Sequence, residues 1–321
     1  LPVVEETGAD ALYCSRLCEP WADSLEGKLH TSLATQGVTF KRYPGSLLFE
    51  PGTVLNKTGN PFKVFTPFWR HCRSGNLPRA PKPRPANVSW YDQALHSDTL
   101  ASWQLRPSNP DWAEGWSELW EPGSNGAYKR LKQFLAGPVS DYTDGRNHPA
   151  REATSRLSPH LHFGEISVRT LWHQAQALAG SDPGSQQQID KFLSEMGWRE
   201  FSHHLLHHFP HLSSQPFKPQ FSDFPWLGNE AGLRAWQLGQ TGYPIVDAGM
   251  RELWQTGYMH NRIRMVTASF LTKHLLVHWR AGARWFWDCL LDADLANNTA
   301  SWQWVAGCGA DAAPYFRVFN P

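Results

Sequence analysis

Charge is scarce in this chain of 321 residues: 18% are charged, against about 25% in an average domain. The 30 basic side chains nearly cancel the 29 acidic ones, leaving a formal net charge of +1. So weak a global field means that a polyanionic partner has to meet a local patch. With 41% apolar residues, disorder is excluded. Long apolar runs are also missing: none approaches the roughly 18 residues of a membrane span, which reads as a soluble chain without membrane contact. Cysteine is sparse and odd in number. Cys14, Cys18, Cys72, Cys289 and Cys308 are too scattered for a disulfide framework and suit a reducing, cytoplasmic setting. The pair Cys14 and Cys18 has no second pair to complete a zinc site. Neither an initiator Met nor a recognisable signal stands at Leu1, as in a fragment. What is abundant is tryptophan, 17 residues of it, for which the alternatives are core filling and stacking or redox chemistry.

Residues 1–70 alternate short β-like runs with helix. Ala11–Tyr13 and Val38–Tyr43 are the strand candidates, and Trp21–Gln36 between them has helical spacing closed by Gly37. Strand, helix, strand implies a parallel βαβ unit, here part of an incomplete doubly wound sheet. Residues 71–124 read as a connector. Arg73, Arg79, Lys82 and Arg84 alternate with Pro78, Pro81, Pro83 and Pro85, an extended path that is either a solvated linker or a nucleic-acid contact. From about residue 125 the pattern is helical: Ala127–Ala136, a start at Ser158-Pro159 with Ser158 as cap, Val168–Leu178 capped by Ser167, Asp190–Phe209, Glu230–Gln237, Ile245–Trp279 and Ala283–Leu291. The fold class is therefore α/β plus all-α, with an incomplete N-terminal α/β part followed by a helical domain over residues 125–321.

Three segments concentrate polar chemistry. Arg151–Gly164 joins the hydroxyls of Thr154, Ser155 and Ser158 to a helix start, which either caps the helix or holds a phosphate. The run HNRIRM places Asn261, Arg264, Met265 and Ala268 on one helical face. A guanidinium on a packed face needs an acid or a bound anion, and Asp292 or Asp294 is the natural partner. In GWREFSHHLLHHFP, His203/His207 and His204/His208 are spaced i, i+4. No Cys or carboxylate completes a zinc set and the HExxH order is absent, so surface or interhelical histidines are favoured and no metal is expected.

Taken together, TSRLSP, GWREF, HNRIRM and the closing run DADLANNTASWQWVAGCGADAAPYFRVFNP resemble the flavin-binding domain of the DNA photolyase and cryptochrome family. The resemblance extends from about Tyr13, with VFTPF at Val64–Phe68 matching the segment before the interdomain connector. It implies a Rossmann-like N-terminal domain and a helical domain holding FAD, in the working form FADH⁻. The FAD phosphates would lie on Tyr142 and on Thr154, Ser155, Arg156, Leu157 and Ser158. Arg264 and Asp292 would pair beside the flavin, Asp294 would lie against the flavin or its ribose, and Asn298 would face N5, donating without supplying a proton.

Asn298 separates this chain from plant cryptochromes, which carry Asp there, and is most similar to cyclobutane pyrimidine dimer photolyases of the class I type. The resemblance then implies lesion contacts at Glu195, Trp198, Asn261, Met265 and Trp304, phosphate contacts at Arg146, Arg262 and Arg317, and an electron path along Trp302, Trp279 and Trp226. UV-damaged DNA is the implied partner of a monomer, and light-driven dimer repair the implied lyase activity. A blue-light receptor of the cryptochrome kind is the alternative. A second, antenna chromophore, a methenyltetrahydrofolate or a deazaflavin, is left open.

Overall fold

The computed structural model describes residues 2–75, 77–83, 85–314 and 317–321. Arg84 of the basic connector and Tyr315 and Phe316 of the closing run lie outside the described residues. Helix α1 (Pro2–Thr7) precedes strand β1 (Ala11–Ser15), helix α2 (Pro20–Ala34) and strand β2 (Thr39–Tyr43). The strands pair in parallel, from Ala11 opposite Thr39 to Ser15 opposite Tyr43, the βαβ unit expected. Gly37 turns the chain between α2 and β2. It takes φ +71°, and the Val38 N–H returns 3.0 Å to the Leu33 carbonyl, closing the helix as glycine-terminated helices commonly do.

Helix α3 (Phe65–Ser74) begins within the VFTPF run, and among the described residues the proline-rich connector beyond it is irregular as far as a short 3₁₀ turn at Leu100–Trp103. Arg73 of the expected basic stretch pairs with Asp190 at 2.9 Å. The helical part then comprises α4 (Trp116–Leu119), α5 (Ser124–Ala136), α6 (Tyr142–Gly145), α7 (Ser158–His162), α8 (Val168–Ser181), α9 (Gln186–His208), α10 (Glu230–Gln237), α11 (Pro244–Thr256), α12 (Asn261–Ser269), α13 (Trp279–Cys289) and α14 (Leu295–Ala306). The Ser167 hydroxyl accepts from the Arg169 N–H at the head of α8, as its sequence implies.

The single helix expected over Ile245–Trp279 is instead α11, α12 and a π turn at Phe270–His274. Gly257, at φ +66°, ends α11, and His260 starts α12 by accepting the Arg262 N–H. The apolar period runs on through the break because both helices face one core, and so conceals it. The later helix also starts earlier than expected, at Trp279 rather than Ala283.

Three apolar clusters organise the packing. One gathers Trp236, Met250, Ile263, Trp279, Phe286 and Trp302 from α10 to α14. A second joins α5, α8 and the first half of α9 through Leu131, Phe134, Trp172, Ile189 and Phe192. The third seats Phe65, Phe68 and Cys72 of α3 on Phe201 and Leu205 of α9. Helix α9 thus ties the N-terminal region to the helical body and also packs on α14. All five cysteines are free. Among the described residues no helix is long and apolar enough to cross a membrane, and none form a cluster of three metal-binding side chains.

Candidate functional site

Helix α12 brings Arg264 to a carboxylate. Its Nη2 lies 2.9 Å from Asp292 Oδ2, and its Nε donates to the Met259 carbonyl at 2.8 Å. Burial works against the guanidinium charge, but Asp292 more than offsets it and raises the Arg264 pKa above the ordinary value. Of the two acids expected to serve Arg264, Asp292 does so. Asp294 caps α14, accepting from the N–H and the side-chain amide of Asn297 at 2.7 Å each.

Ser158 departs from its expected capping role. Its hydroxyl donates to Asp292 Oδ2 at 2.6 Å, and α7 has no side-chain cap. The hydroxyl proton goes to the carboxylate because a charged acceptor forms the stronger hydrogen bond. Asp292 Oδ1, by contrast, is buried without a protein partner. An orphaned carboxylate oxygen costs free energy unless a ligand or water satisfies it.

The turn before α7 is strained at Arg156, which has φ +48°, a conformation uncommon outside glycine. That backbone sends its guanidinium over the Tyr258 ring, 5.2 Å from the centroid, while Arg264 lies 5.5 Å from the same ring. Thr154 and Ser155 are half-buried beside it. Leu157 is 1% exposed in the second core cluster, so only its backbone is suited to contact a ligand. Tyr142 is buried between Phe134 and Phe192, and burial drives its phenol pKa well above the usual value.

A second polar group forms where α6, α9 and α12 meet. Arg146 Nη1 contacts Glu195 Oε1 at 2.5 Å, and Lys191 reaches the same oxygen at 3.1 Å. Arg262 donates from Nε to Asn147 Oδ1 at 3.0 Å and from Nη1 to Met265 Sδ at 3.7 Å. Burial and then Arg146 lower the Arg262 pKa, Glu195 opposes this, and Arg317 adds to it. The cations expected to meet phosphate therefore share one electrostatic neighbourhood. His260, at its centre, has its pKa pushed down to about 4 by burial and then by Arg262, Arg146, Arg264 and Arg156. A group of cations of this kind favours an anion. Asn261 is exposed on the same side at the start of α12.

Trp198 is half-buried with one ring face covered: Phe65 stacks on it at 3.8 Å and 10°. Trp304 is half-buried against the α10–α14 core. Asn298 donates its side-chain N–H to the Ala283 carbonyl at 2.9 Å. One N–H of this amide is thus committed to α13, which leaves its second N–H and its oxygen to meet a ligand. Arg317 sets its guanidinium 5.5 Å from the Phe319 ring centre, and its carbonyl accepts from Lys273.

The three tryptophans of the expected electron path belong to one cluster. Trp302 and Trp279 are each 2% exposed, and the half-buried Trp226 packs against the cluster that holds them. Phe286 lies edge-on to Trp302 at 5.0 Å, and His278 bridges Trp279 and Trp226 with ring separations of 5.6 and 5.2 Å. The sequence reading missed Gly282 and His203. A Cβ at Gly282 would lie 2.1 Å from the Trp302 ring, so the glycine is what admits that indole beside α13. His203, for which the spacing favoured a surface or interhelical place without naming a partner, is buried 3.4 Å from Asp294. Neither role could be read without knowing which helices face each other.

Comparison with known proteins accords with this geometry. A family model described as the FAD binding domain of DNA photolyase matches residues 192–321, and one described as DNA photolyase matches residues 1–86. A deoxyribodipyrimidine photo-lyase of Agrobacterium fabrum is 46% identical over 99% of the chain and 66% of its own length. Cryptochrome-1 of Arabidopsis thaliana is 37% identical over the whole chain and 48% of its own length. The chain thus spans just under two thirds of the first of these relatives and about half of the second. A crystal structure titled as a bacterial class III photolyase from Agrobacterium tumefaciens superimposes with TM-score 0.95 at 45% identity, covering 99% of this chain and 66% of that one.

Proposed function

The chain belongs to the DNA photolyase and cryptochrome family, and we propose that it serves the light-driven repair of cyclobutane pyrimidine dimers in DNA with FAD as its cofactor. The observation that carries this reading is the Ser158–Asp292–Arg264 group with its orphaned carboxylate oxygen. A buried acceptor without a partner, beside a fixed guanidinium, suits the N–H edge of a flavin. The arginine-rich surround suits the diphosphate, for which Thr154, Ser155, Ser158 and the backbone of Leu157 are the proposed holders. Tyr142 is placed with that phosphate end. Asp294 and Asn298 complete the flavin side.

When bound, reduced FAD supplies the electron that light drives into the dimer. The chain's own residues bind, orient and exclude water. Glu195 offers a carboxyl to the polar edge of an extruded dimer, held in place by Arg146. The exposed side of Trp198, with Trp304 and Met265, forms the apolar wall, and Asn261 lines it. Arg262 and Arg317, with Arg146, face the flanking phosphates. Because a dimer pairs poorly, it is extruded at lower cost than an intact base, a step the handling of damaged bases by photolyases exemplifies. Trp302, Trp279 and Trp226 carry electrons inward to return oxidised FAD to the working state.

The subclass belongs to this proposal too: the sequence reading expects the class I type, and the likeness to the A. tumefaciens structure named as class III supports class III as the reading proposed. Residues 1–70, 71–124 and 125–321 are the proposed α/β part, connector and flavin domain. Action as a monomer is likewise proposed, and a second chromophore would belong with the N-terminal part. The test is to illuminate the FAD-reduced protein with dimer-containing DNA and count dimers. Loss of dimers in light and not in darkness is expected. Persistence of dimers with the reduced flavin verified by absorbance would overturn repair and favour the receptor reading.

A further inference from the structure

Helices α9 and α14 carry the two halves of the proposed chemistry, Glu195 and Trp198 on one and Asn298, Trp302 and Trp304 on the other. Between them lies a polar contact that the proposed function does not use. His203 is 5% exposed, and its Nε2 stands 3.4 Å from Asp294 Oδ2, with side-chain exposures of 7% and 13%. The other oxygen of the same carboxylate is committed to the N-terminus of α14 through Asn297. One carboxylate therefore joins the head of α14 to a side chain two turns along α9 from Glu195.

We propose that His203 is a positioning residue that fixes Asp294, and through it the flavin-facing start of α14, against the lesion-facing helix α9. The inference rests on the flavin reading above. Burial alone would raise the Asp294 pKa, yet His203, the Asn297 N–H and Arg199 hold it well below the usual carboxylate range, so the group stays ionised in a nearly dry setting. An ionised carboxylate there needs partners on both oxygens. Asn297 serves Oδ1, and His203 lies against Oδ2, where neither of its ring nitrogens has another protein partner. At 3.4 Å the contact is an electrostatic one that a slight closure of the two helices would tighten into a hydrogen bond.

The side chain is thus more than packing. Replacing it by phenylalanine keeps bulk and burial but leaves Oδ2 facing a hydrocarbon surface, and the carboxylate is then free to swing or to take up a proton. Glutamine keeps an N–H donor of similar reach.

The test uses this chain with FAD and reads the cofactor rather than repair. His203→Phe is expected to weaken FAD uptake, followed by flavin fluorescence, by about tenfold or more, the effect of losing one contact to a charged group. The flavin midpoint potential should move as well, because the charge beside the ring is no longer fixed. His203→Gln should restore both, and adding His203→Phe to an Asp294→Asn protein should have little further effect. A His203→Phe protein that loses thermal stability while keeping wild-type FAD affinity and potential would overturn the proposal and leave His203 a structural residue. Should His203→Phe fail to fold, His203→Gln and Asp294→Asn carry the test: loss of FAD affinity in the glutamine variant equal to that in Asp294→Asn would overturn a donor role. Failure of the wild-type chain to take up FAD is a separate result, which overturns the reading beneath the proposal and the proposal with it.

Discussion

At the scale of single residues, charge is placed sparingly and several buried polar groups are held by specific partners. Two histidines show how this couples to pH. His260 Nδ1 accepts the Arg262 N–H at 3.2 Å, and His204 Nε2 accepts the Phe62 N–H at 3.1 Å. Both are thereby held neutral, and burial together with neighbouring cations or histidines pushes each pKa down to about 4. In the unfolded chain a histidine titrates near about 6.5. Above that value neither state is protonated and stability is complete. As pH falls from about 6.5 to about 4 the unfolded chain binds the proton first, so stability is lost across that window and no further below it. The raised carboxyls of Glu200 and Glu252 act in the opposite sense, so the difference between variants is the readout. His260→Asn keeps a capping acceptor and should show a smaller drop in thermal midpoint between pH 7 and pH 5, in round values, than the wild type. An identical drop would show that His260 is not the titrating group.

At the scale of elements, the close approach of α13 and α14 depends on one missing side chain. Gly282 lies against Trp302, and an alanine Cβ would also come within 2.6 Å of Leu271. Both neighbours are buried core residues, 2% and 0% exposed, with little room to yield. Gly282→Ala should therefore cost about 1–3 kcal/mol by overpacking, despite the better helix propensity of alanine. Because the displaced ring is Trp302, light-driven reduction of oxidised FAD should slow in the same protein. On the proposed function, chemically reduced protein should still repair dimers. A lowered thermal midpoint with unaltered photoreduction would separate Trp302 from the electron path.

This is also the scale at which the sequence was most and least informative. Elements closed by a local signal were legible: α8 from Ser167, the end of α2 from Gly37, and α10 from Glu230 to Gln237. The break at Gly257 was not, since the apolar period carries across it. Within the site, Arg264 with Asp292 was legible because a packed guanidinium requires an acid. The diversion of Ser158 from cap to Asp292, the stacking of Phe65 on Trp198 and the approach of His203 to Asp294 all join residues more than 90 positions apart. Spacing along one helix carries no information about such pairs.

At the scale of the whole molecule, a net charge of +1 means that DNA binding, where it occurs, has to draw on the local group of Arg146, Arg262 and Arg317 rather than on a general field. The three are not equivalent. Arg146 is already matched by Glu195 at 2.5 Å, whereas burial and then cationic neighbours lower the Arg262 pKa, and its guanidinium's only described polar partners are the neutral Asn147 and Met265, besides the field of Glu195. A guanidinium so placed gains most from a phosphate. Each phosphate neutralised on duplex DNA releases counterions, so the logarithm of affinity falls with the logarithm of salt concentration by a slope of about −0.9 per contact. Arg262→Ala should therefore weaken binding of dimer-containing duplex and also flatten that slope by about one. Arg146→Ala should change the slope less and the repair yield more, because it leaves Glu195 held by Lys191 alone. Binding titrations over a series of salt concentrations check both. An unchanged slope in Arg262→Ala would mean that this arginine meets no phosphate, and the weakness of the global field would then leave Arg317 and Lys273 on the same side to supply the contact.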